Sequence, residues 1–306
     1  MNEQWAVQGE RSNPLALWTI TWIARHLGRS AGRLLLYPIV AYFLIALRRV
    51  TRHSRQYLER VLGRPAGTRD VARHFHCFAS TLLDRVFLLT SRFDEFDVSV
   101  HNEEVPVHYI EAGQGVLLLG SHLGSTEAMR CVAHRQPKLR VKVLMHRAQN
   151  PMITSVVEAL SPEMAANVID MGSSGADNIL RIKEALETGA FVAILGDRVT
   201  GNDRSARCRF LGGEAEFPVS PYLLASMLQV PIVLCFALYL GGNRYDIHFE
   251  ELGRDVRINR QTREADLQQW AQRYADRLEH YARKAPYNWF NFYDFWKRPD
   301  ETLASP

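Results

Sequence analysis

An unbroken apolar run, VLLLG at residues 116–120, constrains this chain more than any other feature. A strand with one wet face alternates apolar and polar residues, whereas a strand covered on both faces has no reason to. Similar runs recur at VKVLM (141–145), VIDM (168–171), FVAIL (191–195) and PIVLCFALYL (231–240). RYDIHFEEL (244–252) and the short stretches VSVH and VHYI after Phe96 also read as strands. Between them lie helical patterns: one beginning near Ser125, one ending at Leu160, GADNILRIKEALETG (175–189), PYLLASMLQ (221–229) and the amphipathic ADLQQWAQRYADRLEHYARK (265–284). Strand–helix alternation of this kind predicts a single α/β domain with a mixed central sheet flanked by helices. A chain of 306 residues that is 47% hydrophobic can bury such a core.

The beginning of the chain differs from the rest. Nine arginines but only three glutamates fall in residues 1–60, a surplus of six positive charges against +4 for the whole chain. Two apolar stretches lie among them, PLALWTITWIA (14–24) and LLLYPIVAYFLIAL (34–47). The second would extend about 21 Å as a helix, short of a hydrocarbon core of about 30 Å, and Pro38 is expected to kink it or to mark a helix start. Flanking arginines and nearby Trp and Tyr suit a segment lying in an anionic membrane interface. A pair of buried helices with exposed arginines is the alternative. Residues 1–64 are thus expected to form a helical membrane-associating arm, 65–297 the main α/β domain and 298–306 a tail. A long helix, roughly Thr68–Thr90, should open the domain, with Val71, Phe75, Phe78, Leu82 and Val86 on one face. Met1–Asn13 is polar and lacks the apolar core of a signal peptide. Four scattered cysteines show no metal-ligand spacing and read as reduced thiols. The mild net charge does not argue for nucleic acid.

SHLGSTE (121–127) is the stretch with a candidate catalytic pair. His122 sits just past the end of a buried strand, where open α/β sheets bind ligands. Gly120 and Gly124 bracket it, Ser125 suits a helix N-cap, and Glu127 falls in the first turn. His122 can fold back to meet Glu127, and such a pair fixes the tautomer and raises the basicity of a general base. The helix dipole alone also favours an acid there, and a strand-end histidine can simply be a satisfied polar residue. No GxSxG, HExxH, Walker loop or GxGxxG follows a strand. A histidine with an acid partner and no serine nucleophile suggests direct attack by an activated substrate hydroxyl or amine.

GSHLGSTE resembles the HxxxxD/E motif of glycerolipid-type acyltransferases, and the wider pattern resembles the bacterial lipid A biosynthesis (lauroyl/myristoyl) acyltransferase family. HRAQNP (146–151), ILGDR (194–198), RFLGGEAEFPVSP (209–221) and the aromatic PYNWFNFYDFW (286–296) are similar to that family's later blocks, in the same order. The resemblance covers roughly residues 65–297. Its acid is Glu127, where many relatives carry aspartate, and Arg198 stands where lipid A enzymes usually have glutamine. The latter departure is closer to relatives tied to other glycolipid or aryl-polyene-type pathways.

That resemblance implies a membrane-associated acyltransferase at the cytoplasmic face of a bacterial inner membrane, peripheral or monotopic. It would move a fatty acyl chain from an acyl carrier protein or coenzyme A thioester to a hydroxyl of a lipid or glycolipid. His122 would be the general base, Glu127 would hold the imidazole, and no acyl-enzyme, metal or cofactor is expected. Arg147 and Arg198 would bind phosphate or the oxyanion, Asn150 would contact substrate, and Asp197 would orient an arginine or form a local salt bridge. The seven aromatics between Tyr287 and Trp296 would pack in the core, some reaching the acyl groove. A catalytically silent lipid-binding protein and an N-acyltransferase are the competing readings. A lipid glycosyltransferase would be expected to show a metal-binding DxD or a nucleotide loop, and neither is found.

Overall fold

Alternate residues of 116–119 point into two different cores. Leu117 and Leu119 pack with Tyr274, Leu278 and Trp289, while Val116 and Leu118 pack with Phe87, Leu88 and Cys131. Both faces of the strand are covered, which is why the run shows no alternation. In a computed structural model, the described residues are 14–147, 151–172, 175–199 and 203–296; the side chains of 14–27 and 151–153 fall outside that description.

Three helices lead in: α1 (Pro14–Ala46), α2 (Arg48–Leu62) and α3 (Thr68–Leu89). The sheet region follows as β1 (Asp97–His101), α4 (Glu104–Glu111), β2 (Val116–Gly120), α5 (Met129–Arg135), β3 (Val141–Met145), α6 (Pro151–Leu160), α7 (Pro162–Ala166), β4 (Val168–Asp170), α8 (Gly175–Glu187) and β5 (Phe191–Leu195). A hairpin of β6 (Ser205–Phe210) and β7 (Gly213–Pro218) precedes α9 (Ser220–Leu228), β8 (Ile232–Gly241), β9 (Arg244–Gly253) and α10 (Arg263–Lys284). Seven strands form one sheet in the order β1-β9-β8-β2-β5-β3-β4. All neighbours pair parallel except β8 and β9, so the sheet is mixed and mostly parallel, as the sequence alternation predicts.

VHYI is a helix, not the expected strand. It lies within α4, where Pro106 and Tyr109 are buried at helical spacing. Pro106 sits in the first turn, where a missing N–H breaks no intrahelical bond.

α1 passes straight through Pro38 and breaks instead at Gly28, whose φ of 79° only glycine adopts freely. Gly28–Ala46 is long and apolar enough to cross a bilayer by length and composition. One face packs on α3: Leu36 and Val40 are buried, and a Cβ on Gly32 would lie 3.0 Å from Leu83 Cδ1. Polarity along this segment is inverted. Arg29 turns inward and donates twice to the fully buried Asp84, at 2.7 and 2.8 Å, and Arg33 lies beside the same carboxylate. Leu34, Tyr42 and Ile45 turn outward, 71%, 66% and 78% exposed. α2 joins the main core through Tyr57 and Leu58, while Arg48, Arg49 and Arg52 stay exposed just beyond the apolar face.

Candidate active site

β2 and β5 are adjacent and parallel, and Gly120 is the register partner of Leu195. Their C-terminal ends therefore stop side by side. The residue two positions past each end, His122 and Asp197, meets the other across the gap. Gly196 makes the approach possible, since a Cβ there would lie 2.6 Å from Leu119 Cδ1.

Asp197 is fully buried and all its contacts are donors. Oδ1 accepts from His122 Nδ1 at 2.8 Å. Oδ2 accepts from the His122 backbone N–H at 3.0 Å and from the Trp289 indole at 2.9 Å. With Nδ1–H committed to a carboxylate, the neutral imidazole carries its lone pair on Nε2. His122 keeps 32% of its side chain exposed and lines a cavity of about 1570 Å³. Burial and the nearby Arg198 guanidinium push the imidazole below its ordinary value, against the pull of Asp197. Asp197 is held well below the carboxylate range: burial opposes this, but His122 and Arg198 outweigh it.

Backbone bonds hold the histidine loop on two sides. Gly124 N–H donates to Asn288 O, and Phe290 N–H donates to His122 O, both at 2.9 Å. On the other side Ser125 N–H donates to Ala237 O of β8. Gly124 has φ +75°, and a Cβ there would sit 1.8 Å from that same oxygen, so only glycine fits.

The expected contact between His122 and Glu127 gives way to a different pairing. A short 3₁₀ turn at Thr126–Ala128 directs Glu127 to Arg85 of α3, with Oε1 2.8 Å from Nε. Asp197, expected to orient an arginine, takes the imidazole instead. Glu127, Arg85 and His122 still line one cavity, together with Arg198, whose Nη2 donates to Phe290 O at 2.9 Å. Arg147 does not line it; its guanidinium bonds Glu158 and Ala165 O. Asn150 lies outside the described residues. Sequence reasoning missed Arg85, which carries no motif, and Trp289, whose role among seven aromatics has no linear signature. The aromatic segment after α10 forms no helix, yet Trp289, Phe290 and Phe295 are buried, while Phe290, Phe292 and Tyr293 reach the cavity wall.

Among the described residues, His101, Asp246 and His248 could approach one metal ion, their ligand atoms within 4.8 Å of one another. They lie on β1 and β9, outside the cavity that His122 lines, and Lys284 Nζ stands 3.2 Å from His248 Nε2, where it competes with any cation.

A histidine oriented by a buried carboxylate stands at the strand ends of an α/β sheet and opens on a largely apolar cleft, an arrangement chemically able to accept a proton at Nε2. Residues 15–298 match the family model of the bacterial lipid A biosynthesis acyltransferases, and the chain belongs to that family. It is an acyltransferase of a membrane-associated family. A comparison with curated proteins yields no significant match.

Proposed function

We propose that this acyltransferase moves a fatty acyl chain from a thioester, on acyl carrier protein or coenzyme A, to a hydroxyl of a lipid or glycolipid at the membrane surface. The observation that carries the proposal is the His122 Nδ1–Asp197 Oδ1 hydrogen bond, which leaves Nε2 for substrate. Nε2 takes the proton of the acceptor hydroxyl as its oxygen attacks the thioester carbonyl. The C–S bond then breaks, and the imidazolium returns the proton to the leaving thiolate. Asp197 orients the ring and stabilises its charged form. Arg198 and Arg85 supply positive charge where oxyanion or phosphate would lie, and Glu127 holds Arg85.

The polarity of α1 supports a reading of which side meets the membrane. Phe78, Thr81, Leu82 and Arg85 form one stripe of α3 that lines the cavity, while another face of α3 carries α1. The outward apolar face of α1 and the open side of the cleft thus share one helix as support. An acceptor held in a cytoplasmic leaflet would enter beside Leu82 without leaving the lipid. Exposed Arg48, Arg49 and Arg52 would meet anionic headgroups.

The test is transfer of a radiolabelled acyl chain into a total lipid extract, with each donor supplied separately. An alkali-labile labelled lipid formed by the native protein supports the reading and delivers the acceptor. Absence of labelled lipid with both donors, under conditions where the protein binds vesicles, leaves a silent lipid-binding protein of the same fold.

A further inference from the structure

Residues 286–296 have no regular secondary structure, yet this segment hydrogen-bonds both members of the His122–Asp197 pair, through the Trp289 indole to Asp197 and the Phe290 N–H to His122 O. Trp289 pairs backbone to backbone with Leu123 as an isolated antiparallel bridge. Asn288, its neighbour, is buried and grips β8, accepting from Tyr239 N–H at 2.6 Å and donating to Tyr239 O at 3.1 Å. The Trp289 side chain is 1% exposed, and its only polar atom is aimed at Asp197 Oδ2.

The indole is itself held from several directions. Its ring meets Tyr57, Phe210 and Phe295 edge to face, with centroids 5.1, 5.1 and 4.8 Å away. Its carbonyl accepts from His74 Nε2–H at 2.9 Å, and His74 Nδ1 accepts from the Ser54 hydroxyl at 2.8 Å. Tyr57 donates to Pro286 O at 2.8 Å. Ser54 and Tyr57 belong to α2, so the helix next to the membrane-facing α1 supports the residue that bonds the catalytic carboxylate.

A purely packing tryptophan would need some partner for a buried N–H, and any carbonyl would serve. Here the partner is the one carboxylate that orients His122, and the bond falls on the oxygen the imidazole ring does not use. We propose that Trp289 is a positioning residue for the His122–Asp197 pair: its indole N–H and the His122 backbone N–H pin Oδ2, so that Oδ1 is presented to Nδ1. The proposal rests on reading His122 as the general base. Its consequence is that the aromatic C-terminal block, read from sequence as core and groove wall, is part of the catalytic apparatus.

Removing only the N–H leaves Oδ2 one donor short. The carboxylate gains freedom to rotate and becomes more basic, so the imidazolium it faces is favoured. The other charged and titratable groups near the pair are Arg198, Arg85 with its partner Glu127, and the hydroxyls of Tyr274 and Tyr293. All of them remain in place in such a variant, so a difference reports the indole N–H.

The experiment replaces Trp289 with 3-benzothienylalanine, in which sulfur stands for the N–H at nearly the same shape, alongside Trp289→Phe. The titration of His122 is followed by NMR in protein labelled at histidine, with the signal assigned by its loss in His122→Gln. Transfer kinetics are measured in parallel. The expected result is an upward shift of the His122 titration by roughly half a unit to one unit, with kcat down about tenfold and KM for the donor within about twofold. An unchanged titration and unchanged kcat in the folded benzothienyl variant would overturn the proposal and leave Trp289 as packing. A shifted titration in a protein inactive with every donor would uphold the positioning role while removing His122 from acyl transfer. Should Trp289→Phe fail to fold, the isosteric variant alone decides.

Discussion

Asp197 Oδ1 stands 2.8 Å from His122 Nδ1, although 75 positions separate the two residues in the chain. The contact follows from the pairing of β2 with β5, because both residues lie two steps past register-matched strand ends. Asp197→Asn keeps the shape and removes the charge, and it can present an N–H donor to a nitrogen that should donate. Acyl transfer should fall by about 10²- to 10⁴-fold in kcat/KM, with thermal stability little changed. Steady-state kinetics of the purified variant check this.

Glu127 and Arg85 form one ion pair on the cavity wall, 2.8 Å apart and largely buried. If Glu127 acts by holding Arg85, then Glu127→Gln, Arg85→Gln and the double variant will not add. The double variant should transfer no more slowly than the worse single one. A double-mutant cycle on kcat/KM measures the coupling, and strictly additive losses would assign Glu127 a separate role.

Leu34, Tyr42 and Ile45 project from the outer face of α1, and none of the described residues covers them. Replacing all three with serine should weaken binding to anionic vesicles by at least about tenfold, since each side chain contributes roughly 1–2 kcal/mol of apolar burial. Vesicle sedimentation measures the loss, and an unchanged circular dichroism spectrum shows that the fold is intact. Added salt should weaken the binding of the native protein as well, through exposed Arg48, Arg49 and Arg52.

Most of the sheet was legible from sequence, because strands buried on both faces leave unbroken apolar runs such as VLLLG and FVAIL. The α4 helix was not: VHYI alternates like a strand, and only Pro106 and Tyr109 packing at helical spacing reveals the period. Pro38 pointed to a kink or a helix start, whereas the break falls at Gly28, whose positive φ of 79° interrupts the helix. His122 was legible by its place after a buried strand. Its carboxylate partner was not, because five-residue spacing suggested Glu127, whereas strand register sets the meeting with Asp197. Register between β2 and β5 depends on long-range pairing that no local motif carries. Arg85 reaches the site through helix packing and has no sequence signature, and Trp289 reaches it through an irregular tail whose aromatic block was visible but not which of its rings bonds Asp197.

His74 gives the fold a pH limit. It is fully buried between the Ser54 hydroxyl and the Trp289 carbonyl, and burial pushes its ring down to about 4. The unfolded chain binds a proton near pH 6.5 that the folded chain refuses until about pH 4, so stability rises with pH across that window. Acidification from pH 7 should cost up to about 3 kcal/mol by pH 4 from this group, with His122 acting in the same direction. Urea midpoints at three pH values check the slope. His74→Gln should be less stable at pH 7 and show a flatter pH dependence.

The most direct test compares single-turnover acyl transfer by the native protein and by His122→Ala, both confirmed folded, using the donor and lipid extract that label best. A general base at His122 predicts that the variant binds donor normally and transfers about 10²- to 10⁴-fold more slowly. Equal rates in the two proteins would contradict it, and would remove the His122–Asp197 pair from the chemistry.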